Sequence, residues 1–79
     1  MNKYIPIITL SGDEYNQYFL TKKLHQFEQD FWWAVPIDFY ENYHALTLSE
    51  AEDAITWWTT KALNNERSMP TSIEIKKVD

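Results

Sequence analysis

Three side chains that could bind a metal ion follow one another at intervals of three residues: Asp38, Glu41 and His44, in the stretch DFYENYH. Carboxylates and imidazole are common ligands of divalent metals. The pair Glu41 and His44 resembles half of a carboxylate-bridged di-metal motif, but that chemistry needs the motif twice, with two further Glu, on a four-helix scaffold. Because the pattern occurs once here, a solvated acidic turn is the better interpretation, and we expect no metal or other cofactor.

No other pattern in the sequence indicates catalysis. The chain has no Cys, and neither His25 nor His44 stands in a motif with a nucleophilic Ser. Gly12 is the single glycine, so a glycine-rich loop that could cradle a phosphate is missing. We therefore predict that the protein is not an enzyme.

The charges are segregated along the chain. Residues 24–60 contain seven acidic residues and no Lys or Arg, whereas the rest of the chain holds five acidic and all seven basic residues. An acidic block of this kind repels nucleic acid and attracts basic surfaces. It predicts a basic protein partner and no direct contact with nucleic acid.

The same block holds all four Trp residues, and one of them is a candidate for binding. A helical stripe consists of Ala51, Ile55, Trp58 and Ala62. Trp57 lies about 100° away from that stripe. The residues on its face of the helix are all polar, namely Glu50, Asp53, Thr60, Lys61 and Asn64. An exposed Trp with a rim of carboxylates is typical of a protein-binding hot spot. Alternatively, the Trp57 ring packs on a neighbouring loop, and the acidic residues only stabilise their own helix N-terminus.

The first half of the chain is predicted to contain a strand, a helix and a second strand. The Ile-rich stretch 3–10 reads as a strand, and Pro6 favours a place at or near a sheet edge. Ser11 and Glu14 fit a capping box that would start a helix. A helical stripe then follows, made of Leu20, Leu24, Phe27 and Phe31. Residues 32–39 read as a strand, in which Pro36 favours an edge or a bulge.

The second half repeats this order. Residues 43–48 are predicted to form a short strand that pairs back as a hairpin. Ser49 and Glu52 repeat the capping-box signal and would start a second helix. In residues 72–78, Ile73, Ile75 and Lys77 alternate with Glu74, Lys76 and Val78, which predicts a final half-buried strand. Side chains expected to be buried are Leu20, Leu24, Phe27, Ile55, Trp58 and Leu63.

The resulting order is strand, helix, strand, strand, helix, strand. This order predicts an α+β fold of the ferredoxin-like kind, βαββαβ, with two helices on one face of a four-stranded antiparallel sheet. Residues 1–79 are expected to form a single compact domain, because this length is near the lower limit for a stable core. No apolar run has the length of a signal peptide or a membrane span, which favours a cytoplasmic location, in the host cytoplasm if the protein is phage-encoded.

These observations lead to one principal functional hypothesis. The protein is expected to be an acidic binding module, monomeric or a small homo-oligomer. It would act as an inhibitor or nucleic-acid mimic that occupies the basic nucleic-acid-binding surface of an enzyme or complex. The expected partner-binding residues are Asp38, Glu41, Glu50, Asp53 and Trp57. Phage-encoded inhibitors of restriction or CRISPR nucleases are similar in size and charge, a likeness of class and not of motif. Alternatives are an oligomerisation domain that pairs through its aromatic surface, and a small-molecule or metal-binding domain.

Overall fold

The structure is a computed structural model, and it describes residues 3–12, 14–22 and 32–78. These residues form four strands and one α-helix, with two short 3-10 helices between the third strand and the α-helix. In chain order they are β1 (Tyr4–Thr9), β2 (Gln17–Lys22), β3 (Trp32–Pro36), the 3-10 helices Ile37–Phe39 and Asn42–His44, α1 (Leu48–Leu63) and β4 (Ser72–Lys77).

All four strands belong to one antiparallel sheet with the order β3-β2-β1-β4. The ferredoxin-like prediction, with two helices on a βαββαβ sheet, is therefore wrong. The described residues hold one α-helix, and the first three strands follow one another as a meander. Four strands were predicted and four are observed. The predicted strand 43–48 is absent, and β2 lies where a helix was predicted.

The predicted first helix is replaced by a hairpin. Gly12 and Asn16 have positive φ angles of 87° and 67°, which a right-handed helix does not allow. Ser11 and Gly12 therefore form a turn, and β2 follows, with Leu20 fully buried in it. Leu24, Phe27 and Phe31, the other members of the predicted helical stripe, lie outside the described residues.

The predicted strand 43–48 is also wrong. Asn42–His44 is a 3-10 helix, and Leu46 makes an isolated bridge to Tyr4. The backbone groups of Tyr4 and Leu46 exchange two hydrogen bonds of 2.8 Å each. Thr47 then caps the α-helix, so the chain makes a single bridge here instead of a hairpin.

Helix α1 confirms the second predicted helix, with its N-terminal cap moved by two residues. The capping box is formed by Thr47 and Glu50, and not by Ser49 and Glu52. The buried side chains of α1 are Ala51, Ala54, Trp58 and Ala62, which confirms the burial of Trp58. Ile55 is half-buried, and the predicted burial of Leu63 is wrong, because Leu63 is 74% exposed in the last turn.

Replacing Thr47 with Ala should lower the free energy of unfolding by about 1 kcal/mol, because the Thr47 hydroxyl accepts a hydrogen bond from the Glu50 amide. Urea denaturation of the variant measures this loss. The matched control is Ser49→Ala, which removes a hydroxyl from the first turn of α1 and should leave stability almost unchanged. A larger loss for Ser49→Ala would place the helix start at the position predicted from sequence.

Strand β1 is not an edge strand, but it lies next to the edge strand β4, so the expectation based on Pro6 holds only as a place near the edge. Its pairing with β4 runs from Tyr4 to Thr9, whereas its pairing with β2 covers only Ile7 to Thr9. Proline has no amide hydrogen to donate to a neighbouring strand. The β1–β2 ladder therefore ends beside Pro6, and Leu46 takes the place of β2 at Tyr4.

Each face of the sheet is covered over part of its area. On one face, α1 packs Ala54 and Trp58 against a cluster of sheet residues, namely Ile8, Leu10, Leu20 and Trp32. On the other face, Phe19 is fully buried, and its ring centroid lies 5.5 Å from that of Tyr40 and 4.8 Å from that of His44. Residues 37–45, here named the cover segment, therefore shield the face opposite to the helix.

Candidate protein-binding surface

The five predicted partner-binding residues fall into two regions of the fold. Neighbouring residues of a strand point to opposite faces of the sheet, so the cover segment over Phe19 and the helix over Leu20 lie on opposite sides. Asp38 and Glu41 belong to the cover segment, and both are exposed. The remaining three, Glu50, Asp53 and Trp57, belong to α1. The fold thus does not bring the five together into one continuous surface.

Glu50 has a structural task at the start of α1. Its Oε1 atom accepts hydrogen bonds from the Thr47 amide at 3.0 Å and from the Thr47 hydroxyl at 3.2 Å. A carboxylate in this position also interacts favourably with the positive end of the helix dipole. The alternative interpretation of Glu50, as a residue that stabilises its own helix, thus has direct structural support.

Trp57 is half-buried, and it packs against the core cluster under α1. Its ring has two cations beside it: the Lys61 Nζ atom lies 5.4 Å from the ring centroid and the Arg67 guanidinium carbon 5.5 Å. Cations over an indole face are attracted by the ring electrons. Its neighbours are therefore basic as well as acidic: Lys61 shares its helix face, and Arg67 is added by the loop after α1.

A groove of about 360 Å³ lies between α1 and the sheet. It is lined by Lys22, Trp32, Asp53, Thr56 and Trp57. The Lys22 Nζ atom lies 5.1 Å from the centroid of the Trp32 ring. With one carboxylate and one ammonium group in its lining, this groove has no strong preference for ligands of one charge.

The candidate metal ligands of the cover segment are not arranged for a metal. Within residues 3–12, 14–22 and 32–78, no group of three or more His, Asp or Glu side chains could hold an ion. The Nδ1 atom of His44 accepts a hydrogen bond from the Glu41 amide at 3.1 Å. The His44 ring also lies 4.1 Å from the Tyr43 ring, centroid to centroid. His44 thus stabilises the cover segment through its hydrogen bond with Glu41, and it packs this segment against the ring of Phe19.

Tyr40 carries a buried hydroxyl group that has no hydrogen-bond partner among the described residues. Burial raises the pKa of this phenol above its ordinary value, because the charged phenolate would lose its hydration. The phenol therefore stays neutral at physiological pH. Tyr40 contributes through its ring, which packs edge-on against Phe19.

The most exposed aromatic side chains of the described residues are Tyr43 at 66%, Phe39 at 59% and Tyr15 at 44%. The rings of Tyr15 and Phe39 meet edge to face, with centroids 6.4 Å apart. Exposed carboxylates alternate with these rings along the chain, since Glu14 precedes Tyr15 and Asp38 precedes Phe39. We name the exposed rings and carboxylates at positions 14, 15, 38, 39, 41 and 43 the acidic-aromatic surface.

Phe39 and Tyr43 were missed by the sequence interpretation, which placed residues 32–39 and 43–48 in strands. A signal was nevertheless present in the stretch DFYENY, residues 38–43, where acidic and aromatic residues are interspersed soon after Pro36. A short polar turn cannot bury three aromatic rings, and here only Tyr40 is directed inward.

Comparison of the chain with protein-family models, with curated proteins and with solved structures found no match in any of the three. In the described part of the chain, no helix has the length and apolar character needed to cross a membrane.

Proposed function

We propose that this chain is a non-enzymatic binding protein that uses its acidic-aromatic surface to occupy the basic nucleic-acid-binding surface of a partner protein. One observation carries this proposal: Phe39 and Tyr43 are exposed beside carboxylates that have no basic neighbour in the sequence between Trp32 and Thr60.

The exposed rings supply the apolar part of such an interface. Phe39 is 59% exposed, so most of its ring makes no contribution to the core of this protein. Aromatic residues dominate the energetics of interfaces when they insert into a pocket of the partner. Tyr15 supports Phe39 from the side through the edge-to-face contact, which reduces the entropy that the ring would lose on binding.

The carboxylates supply the attraction. Asp38 and Glu41 are exposed, and neither forms an ion pair with another described residue. Unpaired charges at the rim of an interface steer a partner of opposite charge and raise the association rate. Protein surfaces that bind nucleic acid carry clustered Lys and Arg. A surface of that kind is the natural complement, and its occupation would inhibit nucleic-acid binding, as phage-encoded inhibitors of restriction or CRISPR nucleases do.

The test begins with capture of basic nucleic-acid-binding proteins from a lysate of the source organism or its host, followed by binding kinetics at low and physiological salt. Asp38→Lys with Glu41→Lys should slow association strongly, with most of the effect lost at high salt. Phe39→Ala should instead raise the dissociation rate, and this effect should depend little on salt. Nucleic acid should compete with the protein for the captured partner.

Glu52→Lys with Asp53→Lys is the matched control, because it makes the same change of charge on exposed residues of α1. It should leave binding almost unchanged. If the helix pair weakens binding and the cover-segment pair does not, the partner uses α1 with Asp53 and Trp57. If neither pair has an effect, or if nucleic acid does not compete, the proposed function is wrong.

A further inference from the structure

Strand β4 has an outer edge to which no described strand is paired, because β4 is the last strand of the order β3-β2-β1-β4. The Val78 amide donates to the Lys3 carbonyl at 2.8 Å, while the Tyr4 amide donates to Leu46 on the other side of β1. Backbone groups of an antiparallel strand alternate between its two sides. Ser72, Glu74 and Lys76 therefore direct their backbone groups to β1, and Ile73, Ile75 and Lys77 direct theirs outward.

This outer edge is complementary to itself. When two copies of β4 lie antiparallel with Ile75 opposite Ile75 of the second copy, the outward backbone groups of both strands form hydrogen-bonded pairs. Glu74 then lies directly opposite Lys76 of the second copy, and Lys76 opposite Glu74. Opposite charges in directly facing positions stabilise a strand pair, and like charges destabilise it.

The neighbouring registers lack this complementarity. A pair centred on Glu74 would place two carboxylates opposite each other, and a pair centred on Lys76 would do the same with two ammonium groups. Edge lysines commonly discourage strand addition, but Glu74 of a second copy would neutralise Lys76 specifically. The charges of β4 thus favour a second copy in the register centred on Ile75.

The side chains of the edge are available for such a contact. Glu74 and Lys76 are exposed, and neither takes part in an ion pair within the described part of the chain. Ile73 is 44% exposed, and it would lie opposite Lys77 of the second copy, whose aliphatic stem can cover it. Ile75 would pack against its own copy on the side of the sheet that carries α1.

We propose that two copies of this chain associate through the outer edges of β4, antiparallel and in register about Ile75. The product is a continuous antiparallel sheet of eight strands, four from each copy. This contact is separate from the acidic-aromatic surface, and it does not depend on the proposed function.

The test uses charge reversal followed by complementation, measured by sedimentation over a dilution series. Glu74→Lys and Lys76→Glu should each weaken self-association by about tenfold or more, because two attractive pairs become repulsive. An equimolar mixture of the two variants should form a heterodimer, since each position then faces its opposite charge. The double variant Glu74→Lys with Lys76→Glu should dimerise like the parent.

Two comparisons distinguish pairing through β4 from other causes of self-association. Glu74→Lys brings the net charge of −5 closer to zero, so general charge repulsion predicts stronger association, and β4 pairing predicts weaker association. Phe39→Ala should leave the dimer intact. A parent chain that stays monomeric at all concentrations, single variants that dimerise like the parent, a mixture without heterodimer, or loss of the dimer in Phe39→Ala would each overturn the proposal.

Discussion

Replacing Trp58 with Ala should lower the free energy of unfolding by about 3–5 kcal/mol. Trp58 is only 6% exposed, and it joins α1 to the sheet through the cluster with Leu20 and Trp32. Its indole Nε1 atom also donates a hydrogen bond of 3.0 Å to the Ser68 carbonyl. The variant loses both the apolar contact and this link to the loop before β4. Since small domains have a stability of roughly 5–15 kcal/mol, urea denaturation should show a variant that is close to unfolding.

Trp57→Ala is the matched control for this experiment. Trp57 is half-buried. Within the described residues, its indole makes no hydrogen bond like the one from Trp58 to the Ser68 carbonyl. Its removal should therefore cost clearly less than the removal of Trp58. A neutral Trp58→Ala together with a damaging Trp57→Ala would mean that α1 presents a different face to the sheet.

Replacing Phe19 with Ala should have an effect of similar size, about 3–5 kcal/mol, on the opposite face of the sheet. Phe19 is fully buried, and it is the residue on which the rings of Tyr40 and His44 pack. Without it, the cover segment loses its main contact with β2. We expect lower stability in urea denaturation and faster hydrogen exchange at Tyr40 and His44 than in the parent.

Phe39→Ala controls for the loss of a phenyl ring in general, because Phe39 is exposed. It should change stability by less than about 0.5 kcal/mol. Equal losses for the two Phe variants would contradict the assignment of Phe19 to the core and Phe39 to the surface. Intact hydrogen-exchange protection of the cover segment in Phe19→Ala would contradict the role given to Phe19.

The sequence predicted the positions of α1, β1 and β4 well, because each carries a clear local signal. Strand β3 ends at Pro36 instead of residue 39, and β4 is mostly exposed instead of half-buried. Helix α1 has an amphipathic pattern and an N-terminal cap, and β4 alternates. The helix predicted from Ser11 was wrong because its stripe began at Leu20, a residue that fits a buried strand equally well. The positive φ angles at Gly12 and Asn16 exclude this helix. Gly and Asn adopt such angles more readily than other residues, so a local turn signal was present and the capping-box interpretation of Ser11 and Glu14 overlooked it.

The candidate site could be predicted in composition but not in arrangement. The acidic block correctly indicated that Asp38, Glu41 and Asp53 have exposed side chains. Whether they share a surface depends on which side of the sheet each segment crosses, and this is decided by the meander order. Of the cations beside Trp57, Lys61 lies one turn further along the same face of α1, as helical spacing predicts, whereas Arg67 comes from the loop after α1, which a helical pattern does not place.

The interior position of β1 has a consequence for the folding pathway. Its pairing with β2 joins Ile8 to Tyr18, whereas its pairing with β4 joins Tyr4 to Lys77. Closing a long loop costs more chain entropy than closing a short one, and folds rich in distant contacts reach the native state more slowly. The hairpin can therefore form early, while the last strand must wait for α1. Until β4 arrives, the most hydrophobic strand of the sheet keeps one unpaired side, and this interval is when the chain is most exposed to aggregation.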